Sequence, residues 1–147
     1  YAYVSVSILP QKFVVDKITN KTIDVNVIIP KGASPAIYSP KPSELLKLKK
    51  SKVYFTIGVP FEKAWLDKFR SINPNIVSFA KYIKKDKNPH IWLDPIFLIS
   101  QAKVVYETLS KIYPNKQKFF YNNFIKFKNE CLEFDKYAKS HLNHQKF

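Results

Sequence analysis

Asn88-Pro89-His90-Ile91-Trp92-Leu93-Asp94-Pro95 sets a histidine beside a proline at what reads as a strand-to-helix junction. Asp94 can accept the free N–H groups of a helix start, and Pro95 suits the first turn, where its missing N–H is not needed. A side chain presented from such a junction is held rigidly, as a metal ligand must be. The plainer reading of His90 is a ring bonded to a nearby carbonyl. Glu62, just beyond Gly58, is a second candidate, either as an oxygen ligand or as a partner steadying His90. Its plain reading is a first-turn carboxylate favoured by the helix dipole. His141 and His144 lie three apart and can share a helix face, but with no third donor nearby they read as solvated. Zinc sites gather several N, S or O donors, so one histidine alone would bind zinc weakly.

Nothing in the chain points to catalysis. Glycine occurs only at positions 32 and 58, which removes glycine-rich phosphate cradles, and there is no nucleophile elbow. The net charge is +14, yet of 25 basic residues only Arg70 is arginine. Readers of bases and phosphates lean on arginine, so the lysines are taken as solvated faces and no nucleic-acid partner is expected. A basic surface meeting an anionic membrane is a milder option. The lone Cys131 falls on an apolar helical stripe and reads as a buried free thiol.

These residues need a frame, and 147 residues, 46% hydrophobic, are enough to bury one core. The apolar runs are too short to cross a bilayer, which takes about 20 residues. The chain opens on a strand-like run with neither Met nor leader pattern, as expected of a mature form or a trimmed one. Strands are expected over residues 4–10, 23–29, 53–57 and 75–79, and helices over 13–18, 43–50 with Ser43 as cap, and 61–69 with Trp65 inward. Lys31 to Pro42 is a loop. Two long helices follow. Leu98, Ala102, Val105, Leu109 and Ile112 mark one; Phe120, Phe124, Phe127, Cys131, Phe134 and Ala138 mark the other, over residues 116–142 and about 40 Å long. Strands alternating with helices predict an α/β class: one lobe with a four-stranded, mostly parallel sheet and a long final helix. Sites on such sheets lie at the carboxyl ends of the strands.

Several motifs then line up in order: Val6-Ser7-Ile8-Leu9-Pro10; Ile29-Pro30-Lys31-Gly32-Ala33-Ser34-Pro35 with Tyr38-Ser39-Pro40-Lys41-Pro42-Ser43; Val53 to Gly58 with Glu62 and Trp65; Pro89-His90-Ile91-Trp92-Leu93-Asp94-Pro95; and Tyr113-Pro114 onward. Together they resemble the amino-terminal lobe and spine helix of the zinc- and manganese-type solute-binding proteins of ABC transporters. The resemblance implies an α/β metal-binding lobe over 1–115 and an inter-lobe spine over 116–147, with the second lobe absent. It implies capture of a divalent metal, zinc with manganese as the alternative, outside the cytoplasmic membrane for delivery to a membrane permease. His90 takes the second ligand position. The first falls at Ala36, where the family usually has histidine. The family's His-rich loop has no counterpart between Ser78 and Asn88. The alternative is a lobe without metal that works as an interaction module, with a homodimer formed through the exposed inter-lobe face.

Overall fold

The structure is a computed structural model that describes residues 3–80 and 94–144, with side chains through 137. Four short strands, β1 (Tyr3–Val6), β2 (Asp24–Val27), β3 (Tyr54–Thr56) and β4 (Ile76–Ser78), form one sheet in the order β2-β1-β3-β4. All three pairings are parallel, with Val4 opposite Val25, Val6 opposite both Val27 and Phe55, and Phe55 opposite Val77. Between them run α1 (Leu9–Thr19), α2 (Pro42–Lys50) and α3 (Pro60–Ile72). Helix α4 (Pro95–Ile112), a 3-10 turn and the 28-residue α5 (Gln117–His144) complete the chain. The expected class and its four strands are present, and the sheet is wholly parallel.

Helices α1, α4 and α5 pack together, and α2 packs with α3. Asn123 of α5 donates to the Ile18 carbonyl of α1 at 2.8 Å, and Phe13 meets Phe127 edge-on at 6.0 Å. Asn73 closes the other layer by donating to the Leu48 and Ser51 carbonyls, both at 2.9 Å. Tyr54, Phe55, Phe61, Phe69, Phe79 and Phe120 are fully buried in the core. Trp65 is half-buried and stacks on Phe69 at 6.3 Å.

The helix starts differ from expectation in an instructive way. α1 begins at Leu9 rather than Phe13, because Pro10 serves its first turn instead of ending a strand. α2 is capped at Lys41 rather than Ser43, since Pro42 takes the first helical position. In both, a side chain one turn in reaches back to N–H groups that no cap residue satisfies. Gln11 Oε1 accepts from Ser7 and Ile8 N–H at 2.9 and 3.1 Å, and Glu44 Oε1 accepts from Lys41 N–H at 3.0 Å. At α4 the cap itself does this: Asp94 Oδ1 accepts from Ile96 N–H at 2.8 Å, as its sequence position predicts.

On α5 the stripe Phe120, Phe124, Phe127 and Cys131 is buried. Phe134, expected on the same stripe, is 62% exposed. The helix keeps its periodicity, but at that turn its apolar side borders an open groove lined by Phe13, Pro95 and Leu98. Cys131 is a buried free thiol, its pKa raised chiefly by burial and also by Glu130.

Candidate functional site

The strand order reverses direction between β1 and β3. The chain leaves β1 toward β2 on one side and leaves β3 toward β4 on the other, so a crevice is expected at the carboxyl ends of this pair. A buried polar cluster sits there. Glu62, 5% exposed, accepts from the Ser7 hydroxyl, from Ile57 N–H at 2.9 Å and from Gly58 N–H at 2.6 Å. Ser7 also bonds the Tyr54 hydroxyl, and Gln11 Nε2 donates to the Phe55 carbonyl at 3.0 Å. Burial pushes the Glu62 carboxyl above its ordinary range, against the pull of the N–H and hydroxyl donors. Tyr54 is raised by burial and by the Glu62 charge.

Glu62 therefore stands where the crevice was expected, but it is buried rather than on an open rim. It occupies the third position of α3, after Pro60 at the first, and spans two loops. One oxygen holds the end of β1 through Ser7, and the pair of oxygens holds the turn after β3. Gly58 bends this turn with φ of 102°, a region open to glycine. The local pattern Pro60-Phe61-Glu62 matches Pro42-Ser43-Glu44. That repeat was the available signal for Glu62 as a bridge. Ser7, Gln11 and Tyr54 carried none, because an isolated serine, glutamine or tyrosine in an apolar run has no spacing to read.

The loop from Pro30 to Lys41 comes to the same edge. Phe61 N–H donates to the Pro35 carbonyl at 2.9 Å, and the Tyr38 ring lies 5.8 Å from that of Phe61. Tyr38 donates to Glu44, and burial and Glu44 push the Tyr38 hydroxyl up to about 12. Ala36 is thus carried to the rim beside α3, where its exposed methyl group offers no donor atom. His90 and its neighbours from 81 to 93 lie outside the described residues, as do the His141 and His144 side chains. The far end of the His90 motif is placed: Asp94 and Pro95 open α4, and Pro95 borders a groove with Phe13, Phe127 and Phe134. Among the described residues, no three His, Cys, Asp or Glu side chains converge on a common metal position.

This parallel lobe with its long trailing helix is similar to part of several solved metal-binding proteins. A crystal structure of ZnuA aligns with a TM-score of 0.81 and 30% identity, over 90% of this chain and 56% of that one. The family model described as zinc-uptake complex component A, periplasmic, matches residues 4–146, and the chain belongs to that family. A Thermotoga maritima protein provisionally named as metal-binding is 32% identical over 113 residues, 76% of this chain and 42% of its own length. The manganese ABC transporter substrate-binding lipoprotein PsaA of Streptococcus mitis is 25% identical over 144 residues, 86% of this chain and 47% of its own length. The chain spans about half the length of the curated relatives it matches. The family is one of metal-transport binding proteins rather than of enzymes. No described helix is long and apolar enough to cross a membrane.

Proposed function

We propose that the chain is the amino-terminal lobe, residues 1–115, and spine, 116–147, of a receptor that captures a divalent transition metal. The metal is zinc, with manganese as the competing cargo, taken up outside the cytoplasmic membrane and passed to an ABC permease. The observation that carries this reading is the convergence of the Pro30–Lys41 loop and the α3 start on the switch-point edge, fastened by the Phe61 to Pro35 hydrogen bond. Family membership supports a metal as cargo.

In this reading His90, four positions before the Asp94 cap of α4 in the sequence, is the lobe's ligand. Glu62 is a positioning residue rather than an oxygen ligand, because its lone pairs already serve Ser7, Ile57 and Gly58. Ala36 supplies nothing, so the remaining donors come from a second lobe packed along the spine. The exposed Phe134 and the apolar groove beside it support such a lobe. No observation favours a homodimer over that packing. Zinc and manganese titrations of the chain, alone and as His90→Ala, test the assignment. A specific site lost in the variant supports it; unchanged affinity in the variant rejects His90.

A further inference from the structure

The sheet is parallel and the helices run back across it, so α2 and α3 deliver their carboxyl ends to the edge opposite the Glu62 cluster. Lys47, Lys49 and Lys50 end α2, Lys52 follows, and Lys68 and Arg70 lie near the end of α3; all six are exposed. Hydrogen bonds knit the backbone beneath them into one surface. Tyr3 donates to the Lys47 carbonyl at 2.7 Å, Lys52 N–H donates to the Tyr3 carbonyl at 2.9 Å, and Asn73 joins the ends of α2 and α3. A helix dipole favours a cation at a carboxyl end, which accounts for one lysine but not for four within six positions. Against them stand Asp24, which lines a groove with Lys47 and Lys50, and Asp67. Two ion pairs, Lys12 with Asp16 and Lys17 with Glu130, lie elsewhere. Leu46, 52% exposed, adds an apolar contact beside Lys47.

We propose that this end of the lobe docks on an anionic lipid surface. Lysine is a flexible, strongly hydrated point charge, suited to a diffuse negative layer, whereas fixed phosphate recognition favours the planar fork of arginine. Docking this way turns the switch-point edge away from the lipid and leaves it open to ions. The inference does not depend on His90.

The test is cosedimentation of the 147-residue chain with vesicles of phosphatidylcholine alone or with roughly one-third phosphatidylglycerol, at about 50 and about 300 mM NaCl. Binding is expected to the anionic vesicles only, and to be lost at the higher salt. K47Q/K50Q/K52Q is expected to lower partitioning about a hundredfold, at about fivefold per lysine. K126Q/K128Q, on α5, should leave it within about twofold, and melting curves should show both variants folded. Equal binding to neutral vesicles overturns the proposal, as does a loss below about fivefold in the triple variant. Tighter binding to a DNA duplex than to anionic vesicles, lost in the same variant, also overturns it in favour of nucleic acid.

Discussion

Replacing Glu62 separates the two roles open to a carboxylate at the crevice. Its oxygens hold Ser7, Ile57 and Gly58 in a buried setting. Alanine strands the Ile57 N–H and the Ser7 hydroxyl, since Gly58 is exposed and water can reach its N–H. Each stranded buried group costs about 1–3 kcal/mol, and Ser7 can turn toward Tyr54 to recover part of its share. The expected loss for Glu62→Ala is therefore about 2–4 kcal/mol, read as the urea midpoint at constant slope. Glutamine keeps one acceptor oxygen for the backbone N–H groups and offers its amide to Ser7, so Glu62→Gln should cost about 1 kcal/mol at neutral pH. The carboxyl is held above its ordinary range, so the folded state binds this proton more tightly than the unfolded chain does. Its contribution is full below the ordinary carboxyl value and falls as pH rises through the raised folded value. That slope should vanish in Glu62→Gln. A loss under about 1 kcal/mol for Glu62→Ala would refute the bridging role. Metal affinity lost in Glu62→Gln, with stability intact, would restore Glu62 as a ligand.

Phe127, 4% exposed, should cost about 3–5 kcal/mol as Phe127→Ala, while the exposed Phe134 should cost under about 1 kcal/mol as Phe134→Ala; urea unfolding reads both, and equal losses would show that the stripe stays covered past Cys131. Asp94→Ala removes the acceptor for Ile96 N–H and should cost about 1 kcal/mol in thermal unfolding, with Asp94→Asn restoring most of it. Ala36→His places an imidazole on the rim beside α3 and should tighten zinc binding by about tenfold or more in calorimetry, an effect that disappears when combined with His90→Ala.

The layered plan was legible because it rests on periodicity. Val53 to Gly58 reads as a buried parallel strand, and β3 lies within it. Asp94 before Pro95 reads as a cap, and its carboxylate caps α4. Phe120, Phe124, Phe127 and Cys131 read as one stripe and are buried as one. What the pattern hid were properties set by distant contacts. Pro10 ends an alternating run, and only the Gln11 bonds to Ser7 and Ile8 show that it starts a helix. Glu62 follows a glycine turn in a way that suggests an open rim, yet Ser7, 55 positions earlier and just past β1, bonds to it in a buried setting. Phe134 has the right phase to be buried, but helical phase carries no information on whether a neighbour covers that turn.

Calorimetric titration of zinc into the 147-residue chain and its His90→Ala variant, at physiological salt, tests the central claim most directly. The account predicts one saturable site whose affinity is weak beside that of a complete two-lobed receptor and which the variant lacks. Identical binding in both proteins, or a tight site that survives loss of His90, would contradict it.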